Sequence, residues 1–583
     1  MARLDPHSHT DLEQPHQQHL SWNVEVDFAA KTLRGTATLR FDRGGSPVDL
    51  DSRGLAVESV TTVDGKPLQF ELGQTEPILG ERLRVELPPD GDTCVIRYRT
   101  GEHASALQWL EPEQTAGREA PFLYSQCQAI HARSVVPLQD TPRLRITYDA
   151  TLTVPAALRA LMAASAVDRE VRGDRAVERY RMDEPIPPYL LAFAVGDLDS
   201  RELGPRSRVW AEPSVVARAE HEFVAVDRML TSAEALFGPY SWGRFDLLVL
   251  PPSFPYGGME NPRLTFLTPT LLTGDRSLVS VVAHELSHSW TGNLVSNASA
   301  EDFWLNEGFT VFAERRILEV LEGPELVALH AAVGRQALDE AVANFRDRPQ
   351  LTRLRTRLQG VDPDDAFSQV PYEKGFLFLR ALEDAVGRPA FDRFLRRYMD
   401  AFRFQSVTTE ELLELVRTEL PGALETVNAP RWIDGEGVPA GAPVARSSRL
   451  ERVEAIGAQP PPAAAKDWSP WEWQVYLNHL PRPSPLELMT TLDERFHLTR
   501  AANPEVLVAW LTVAIRSGHA PAVQRAEELL GEVGRMKYLK PLYAALIAGP
   551  GTRSLAEACA RRYRARYHVI AAAGVEALLR KGA

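Results

Sequence analysis

The pattern of hydrophobic and polar positions changes twice along the chain. Residues 22–28, 83–88 and 150–155 alternate apolar and polar side chains. A period of two is typical of β-strands with one buried face. We therefore predict an all-β domain over residues 1–198.

The apolar spacing becomes helical after residue 198. Residues 223–240 and 278–290 repeat apolar side chains every three to four positions, whereas 245–252 reads as a short buried strand between them. This mixture predicts a second domain, of α and β structure, over residues 199–437.

The composition changes again beyond residue 437. Residues 438–466 are dense in Gly, Pro, Ala and Ser, which predicts a linker. Residues 467–583 consist mainly of helical segments such as 504–518, punctuated by glycine. This pattern predicts antiparallel helices stacked in pairs, as in a solenoid-like domain.

Bulk composition narrows the possible function classes. A chain of 583 residues is too long for one hydrophobic core, and it contains no apolar run of the ~18 to 20 residues that a membrane span needs. A net charge of -13 disfavours nucleic acid as a partner. The first twenty residues lack the features of a secretory signal, and three widely spaced cysteines argue against a disulfide framework. We therefore expect a cytoplasmic protein without a membrane partner.

Residues 284–288 read HELSH within a predicted helix. His284 and His288 are four positions apart, so a helix places both imidazoles on one face, where they can bind one ion. Glu285 is rotated by about 100° from His284, which suits a base that acts on a metal-bound water. Chance would produce HExxH about 0.04 times in a chain of this composition, so the motif alone is suggestive.

The third ligand of a catalytic zinc must come from another segment, because such zinc ions usually keep three protein ligands and one open position. Glu307, on a second predicted helix over 302–321, is the best candidate. Glu314, two turns further on the same face, could accept the outward N–H of a ligand histidine. This set predicts one Zn²⁺ per chain and the hydrolysis of an amide.

Other histidines are expected to be solvated or terminal and to have no role in metal binding. They include His7, His9, His16 and His19.

Residues 257–261 read GGMEN, shortly before the two histidines. Gly257 and Gly258 allow a backbone to run close beside a ligand. Glu260 could then grip the α-ammonium group of a peptide and so select its N-terminal residue. Taken alone, the segment favours a tight turn with a solvated glutamate.

The segments GGMEN, HELSH and WLNEG (304–308) together resemble the M1 zinc aminopeptidases, and most closely the leukotriene A(4) hydrolase branch with its bacterial aminopeptidase relatives. Further matching segments are 126–133 (QCQAIHAR), 251–262 (PPSFPYGGMENP), 288–295 (HSWTGNLV), 370–376 (VPYEKGF) and 534–543 (GRMKYLKPLY). The resemblance covers essentially the whole chain. It implies a multi-domain α+β fold with an N-terminal β saddle, a thermolysin-like (gluzincin) catalytic domain and a C-terminal α-helical domain around one deep cleft.

The resemblance also implies roles for individual residues. It implies zinc on His284, His288 and Glu307, with Glu285 as general base and Tyr372 as the donor to the developing oxyanion. Without the family, Tyr372 would be a packed or exposed aromatic residue. The substrate-binding residues that it implies are Gln128, Tyr256, Gly257, Gly258, Met259, Glu260, Asp364, Arg535 and Lys537, of which Gln128 assists Glu260 with the amino group.

Arg535 and Lys537 match the family's basic pair that receives a substrate carboxylate. Arginine can hold a carboxylate with two parallel hydrogen bonds, whereas lysine acts mainly as a point charge. If both ends of the substrate are bound, tripeptides should be favoured. Without the family, the same residues would be a solvated basic turn.

Three hypotheses follow from these residues. The leading one is a zinc aminopeptidase, acting as a monomer on short peptides with a free N-terminus. The alternative is a bifunctional enzyme that also hydrolyses a lipid epoxide with Asp364, although Phe367 stands where the family has tyrosine; Asp364 could instead attract a basic first side chain or have no role. The third is a peptide-binding scaffold that lost its chemistry, against which the complete residue set argues.

Overall fold

The structure is a computed structural model that describes residues 5–11 and 13–581. Its N-terminal part is built from β-strands, as the alternating pattern predicts. The strands are β1 (Gln17–Asp27), β2 (Thr32–Phe41), β3 (Pro47–Ser52), β4 (Ala56–Thr61), β5 (Phe70–Leu72), β6 (Glu81–Glu86), β7 (Thr93–Arg99), β8 (Leu107–Leu110), β9 (Phe122–Ser125), β10 (Ile146–Pro155), β11 (Arg159–Met162), β12 (Ser165–Arg172), β13 (Arg175–Ile186) and β14 (Phe193–Gly196).

Half of these strands form one large sheet with the order β12-β13-β10-β1-β2-β7-β4. Two smaller sheets have the orders β11-β14-β9-β8 and β3-β6-β5. Alternate residues of β1, namely Trp22, Val24 and Val26, are buried, while the residues between them are exposed. The period of two therefore decides which side chains enter the core.

The middle of the chain combines a five-stranded sheet with helices. The sheet has the order β15-β16-β17-β19-β18, so that β18 is an edge strand. The strands of this part are β15 (Asp199–Gly204), β16 (Ser207–Ala211), β17 (Asp246–Val249), β18 (Gly258–Met259), β19 (Leu264–Leu267), β20 (Val295–Asn297) and β21 (Gln405–Val407). Its helices are α1 (Val216–Phe223), α2 (Val226–Phe237), α3 (Ser280–Ser287), α4 (Trp304–Glu322), α5 (Pro324–Asn344), α6 (Pro363–Ala366), α7 (Gly375–Val386), α8 (Arg388–Ala401), α9 (Thr409–Glu419), α10 (Ala423–Thr426) and α11 (Ala429–Ile433).

Helix α4 is the centre of this middle part. Every residue from Trp304 to Leu318 is buried, including charged ones, so the helix is surrounded on all sides. It packs against α3, α5 and α7, and it contacts a π-helical turn over Val370–Lys374. Polar side chains on α4 therefore lie inside the molecule, where each one needs a partner.

The C-terminal part is helical, as the spacing predicts. Its helices are α12 (Ser448–Glu454), α13 (Pro470–His479), α14 (Leu486–Phe496), α15 (Pro504–Arg516), α16 (Ala520–Glu532), α17 (Met536–Ala548), α18 (Arg553–Tyr563) and α19 (Val569–Lys581). Helix α5 joins this part to the middle part, because Leu329 packs into the helical core. Helix α12 lies within the predicted linker, whose boundaries stay a prediction.

None of the helices in the described residues combines the length and the apolar character that crossing a membrane requires.

The expectation for His7 is wrong in part. His7 lies near the terminus of the sequence, but it is only 1% exposed. Its Nε2 atom lies 3.1 Å from the carbonyl oxygen of Leu358 and 2.9 Å from that of Val361. His9 is also buried. The N-terminal segment is therefore packed against the middle part of the chain.

Candidate active site

Helices α3 and α4 bring together the three predicted metal ligands. His284 lies in α3, His288 caps its C-terminus, and Glu307 lies in the first turn of α4. The Nε2 atoms of the two histidines are 3.2 Å apart. The Oε2 atom of Glu307 is 3.3 Å from Nε2 of His284 and 3.5 Å from Nε2 of His288.

Hydrogen bonds behind the two rings determine which nitrogen faces inward. Nδ1 of His288 lies 3.0 Å from the carbonyl oxygen of Thr291, which can only accept, so this nitrogen carries the proton. Nδ1 of His284 lies 3.1 Å from the carboxylate of Glu314, the partner that the sequence predicts. Both Nε2 lone pairs therefore point toward Glu307, an arrangement typical of histidine ligands.

The geometry of these donors fits a zinc ion. Tetrahedral zinc with nitrogen and oxygen ligands separates its donor atoms by about 3.3 to 3.5 Å, close to the three distances found here. Within the described part of the chain, the buried Oε2 atom of Glu307 receives no hydrogen bond. Burial opposes protonation of His284, but contacts with Glu307 and Glu314 raise its pKa well above the usual value. The site therefore attracts positive charge.

Glu285 lies beside the donors and against strand β18. A Cβ atom added to Gly258 would come within 2.3 Å of its Oε1 atom, so only glycine allows this approach. Burial raises the pKa of Glu285 well above the usual value, and the carboxylates of Glu260 and Glu307 raise it further. Such a group accepts a proton more readily than an exposed glutamate.

Gly258 and Met259, directly before Glu260, form the edge strand β18 of the sheet. A Cβ atom added to Gly257 would lie 2.6 Å from Nη2 of Arg535, so this glycine also permits a close approach. Met259 is buried in β18, and Tyr256 is half-buried. The two adjacent glycines thus lie between Glu285 and Arg535.

Glu260 is buried and held by two amide side chains. Gln128 Nε2 donates to its Oε1 atom at 3.2 Å, and Asn306 Nδ2 donates to the same oxygen at 3.4 Å. Burial raises the pKa of Glu260, His288 lowers it, and Glu307 raises it further. The sequence analysis missed Asn306, although its position next to Glu307 in WLNEG was a signal that could have identified it.

Tyr372 lies in the π-helical turn that contacts α4. Its ring stacks on that of His284, with centroids 6.1 Å apart and planes 18° apart. Burial raises the pKa of Tyr372 well above its usual value, and Glu307 and Glu260 add to this shift. The hydroxyl group therefore stays protonated and can act as a hydrogen-bond donor.

Arg535 and Lys537 lie at the start of α17, where Arg535 approaches Gly257. Arg535 is only 5% exposed, which contradicts the alternative of a solvated basic turn for this residue. The Lys537 side chain is 55% exposed. Both contact the carboxylate of Glu505, at 3.5 Å and 2.8 Å, a residue that no local motif had indicated.

Asp364 borders a mainly apolar cavity of about 70 Å³. Its Oδ2 atom lies 3.0 Å from Nε2 of His131, a residue of the N-terminal part. The cavity lining also includes Gln128, Ile130, Tyr256, Phe303, Leu354, Leu358 and Phe367. Phe367 contributes no hydroxyl group at this position, and Asp5, Glu301 and Arg353 are further charged residues of the lining.

The fold and the donor set together define a zinc-dependent metallopeptidase. Models of three protein families match successive parts of the chain. The Peptidase M1 N-terminal domain matches residues 15–190, the Peptidase family M1 domain matches 222–432, and the Leukotriene A4 hydrolase C-terminal domain matches 468–579. The chain belongs to the M1 peptidase family.

Individual relatives agree with this assignment over nearly the whole chain. Leukotriene A-4 hydrolase of Xenopus laevis is 39% identical over 567 residues, which cover 92% of this chain and 93% of that protein. Aminopeptidase B of Rattus norvegicus is 37% identical over 590 residues, which cover 91% and 89%. The structure of yeast LTA4 hydrolase in complex with bestatin matches with a TM-score of 0.91 at 32% identity and covers 99% of this chain and 97% of that one.

These findings confirm the predicted family, the three-part fold and the dependence on zinc. The chain is a zinc metallopeptidase with aminopeptidase activity.

Proposed function

We propose that the chain removes the N-terminal residue of short peptides that carry a free amino group. The observation that supports this proposal most directly is the position of Glu260. One oxygen of Glu260, one of Glu285 and a ring nitrogen of His288 all lie within 4.8 Å of one another. A carboxylate so close to the metal donors leaves room for only one residue between the bound amino group and the scissile carbonyl.

We propose His284, His288 and Glu307 as the zinc ligands, with Glu314 orienting His284. When bound, a zinc ion supplies Lewis-acid polarisation of a carbonyl group and activation of water. Glu314 supports this set because its own pKa is lowered: burial raises it, but the charges of His330 and His284 outweigh that effect. It therefore remains an acceptor for Nδ1 of His284.

We propose Glu285 as general base and Tyr372 as oxyanion donor. Glu285 takes a proton from the attacking water and passes it to the leaving nitrogen. Tyr372 donates its hydroxyl to the oxygen that gains negative charge in the transition state. The two residues reach the donor set from different elements, α3 and the π-helical turn, which leaves room for the peptide between them.

The edge strand β18 supports binding of an extended peptide. An unpaired sheet edge can accept the main chain of a ligand as an additional strand. Tyr256, Gly257, Gly258 and Met259 would flank that peptide, and Gln128 would assist Glu260 at its amino end. This arrangement binds the backbone and leaves the side chains to neighbouring pockets.

The position of Arg535 supports a preference for short peptides. Arg535 and Glu285 approach adjacent glycines whose Cα atoms are about 3.8 Å apart, so Nη2 of Arg535 and Oε1 of Glu285 are separated by roughly 12 Å at most. No more than about three extended residues fit within such a distance. A carboxylate bound by Arg535 and Lys537 would therefore end a short peptide.

The cavity beside Asp364 supports a site for the first side chain. A long basic side chain would place its apolar stem against Tyr256 and Phe367 and its charge near Asp364.

The same cavity favours the second candidate function, the hydrolysis of a lipid epoxide, because its walls are mainly apolar. Incubation with a lipid epoxide carboxylate should then yield a diol, and Asp364→Asn should abolish it. Absence of a diol in the unmodified enzyme would remove this candidate.

Aminoacyl arylamides with and without an N-acetyl group test the main proposal. We expect the free form to be cleaved and the acetylated form to remain intact. Glu260→Gln should lower kcat/KM for the free form by about 10²-fold or more, because the partner of the ammonium group loses its charge. Similar cleavage of both forms by the unmodified enzyme would exclude the role of Glu260.

We also propose that the enzyme acts as a monomer in the cytoplasm. The three cysteines are unpaired and buried, which is consistent with a reducing compartment. Sedimentation equilibrium should give a mass near 64.8 kDa, whereas a multiple of that mass would show an oligomer.

A further inference from the structure

We propose that Glu505 competes with the C-terminal carboxylate of the substrate for Arg535 and Lys537, and so limits how strongly the enzyme selects peptides with a free carboxyl end. This inference rests on the proposed role of the two basic residues as a carboxylate receptor. It assigns a role in specificity to a residue that lies in no sequence motif.

The contacts of Glu505 are those of an anion that occupies the basic pair. Its Oε2 atom lies 2.8 Å from Nζ of Lys537, and its Oε1 atom lies 3.5 Å from Nη1 of Arg535. The hydroxyl of Tyr538 donates to Oε1 at 2.9 Å and receives a hydrogen bond from Arg535 at 2.8 Å. Burial raises the pKa of Glu505, but the charges of Lys537 and Arg535 outweigh this effect and lower it. The residue is therefore ionised.

Glu505 is also fixed in position. It lies in the first turn of α15 and is only 7% exposed. Its backbone N–H donates to the side chain of Asn503 at 2.9 Å, and Asn503 in turn donates to Ser277 of the middle part at 2.7 Å. The carboxylate is thus held at the boundary between the helical and middle parts, and a helix N-terminus favours its negative charge.

The charge balance leaves only one unit of positive charge for a substrate. Arg535 and Lys537 together carry two positive charges, and Glu505 neutralises one of them. Arg535 is nearly enclosed, whereas Lys537 is 55% exposed and has a flexible stem. We therefore expect the natural enzyme to distinguish a peptide acid from its amide only modestly, mainly through Lys537.

Two peptides that differ only at the carboxyl end test this inference. Leu-Gly-Gly and its C-terminal amide should be compared by kcat/KM in the unmodified enzyme and in Glu505→Gln. We expect the substitution to raise the acid-to-amide ratio of kcat/KM by about tenfold, through a lower KM for the acid. The reason is that Arg535 and Lys537 no longer pair with the charged carboxylate of Glu505. Hydrolysis of a leucyl arylamide, which has no carboxylate, should change by less than about twofold.

The control is Glu528→Gln, which removes the same charge from an exposed ion pair with Arg525 on α16 and should leave the ratio unchanged. If Glu505→Gln does not fold, Glu505→Asp withdraws the carboxylate by one methylene group and should raise the ratio to a smaller extent. An unchanged or lower ratio in the folded variant would overturn the inference, because it would mean that Glu505 positions the basic pair.

Lys537→Met separates this inference from the proposed function. It should bring the acid-to-amide ratio close to one while cleavage of the arylamide persists. If the ratio does not change, the basic pair is not a carboxylate receptor, and the inference fails together with that part of the proposed function. The assignment of an aminopeptidase would then still stand on the arylamide.

Discussion

Arg133 in the N-terminal part and Glu307 in α4 are both charged and almost fully buried, with 0% and 3% exposure, yet their surroundings differ. Arg133 donates to Asp140 through Nε at 3.0 Å and to the carbonyl oxygens of Leu79 and His7 at 2.9 and 2.7 Å. Its Nη1 atom also lies 3.6 Å from Oδ1 of Asp51. The chain itself therefore supplies partners for this cation.

Glu307 is the opposite case. Its Oε2 atom faces two imidazole nitrogens that are themselves oriented as acceptors, and within the described residues it receives no hydrogen bond. Three acceptors that converge without a donor cost free energy unless a cation is bound. The comparison shows how a buried structural charge differs from a buried functional one: the first is balanced by the chain, and the second requires a ligand.

Removal of the metal is the strongest way to test this difference. A chelator should abolish the hydrolysis of an aminoacyl arylamide and lower the thermal midpoint, because an ion bound only by the folded state stabilises it by about 4 kcal/mol at a thousandfold excess over Kd. Zinc should restore both the activity and the midpoint. Full activity after dialysis against the chelator would show that the donor set does not serve catalysis.

Arg133→Met tests the other half of the comparison. Without the guanidinium group, Asp51 and Asp140 become buried carboxylates without a counter-charge, so we expect a loss of about 3 to 5 kcal/mol in stability. Thermal unfolding would measure the change, and kcat/KM of the folded fraction should persist. Arg179→Met is the control, because its ion pair with Asp168 is exposed and should contribute less than about 1 kcal/mol.

Tyr372→Phe should affect the reaction without affecting the fold. The loss of one oxyanion donor should reduce kcat by about 10² to 10³-fold, with KM and zinc content unchanged. Tyr476→Phe is a matched control in the helical part, where the lost hydroxyl donates to the carbonyl oxygen of Gln459 at 2.8 Å. Equal losses of activity in both variants would mean that Tyr372 acts only through packing.

Sequence patterns predicted the parts of this molecule that depend on local spacing. The period of two predicted the N-terminal strands, and the i, i+4 spacing placed His284 and His288 on one face of α3. The second helix of the site, predicted over 302–321, begins at Trp304 and ends at Glu322. Local spacing was sufficient because each of these features arises within one turn or one strand.

Contacts between distant segments could not be predicted in this way. His7 contacts Leu358 and Val361, more than 350 residues away, so no local pattern indicated its burial. Glu505 meets Lys537 from a different helix. Arg535 and Lys537 looked like a solvated basic turn when their segment was considered alone. Gly258 is an intermediate case. The sequence indicated that a glycine here allows a close approach, but it did not indicate that the neighbouring group is the Glu285 side chain.

Gly258→Ala therefore gives the finest test of the site. The new Cβ atom would lie 2.3 Å from Oε1 of Glu285, closer than such atoms can approach, so the carboxylate must move. Displacement of a base by about 1 Å can cost about 10²-fold in rate, and we expect a loss of this order or less, because a side chain can turn partly away. Stability should change little, since φ of Gly258 is not positive. Initial rates of arylamide hydrolysis would give kcat, and measurement of the bound zinc would show whether the metal content is unchanged. A variant with unaltered kcat would show that Glu285 needs no fixed position, which would contradict its role as the general base and leave the donor set as the only preorganised part of the site.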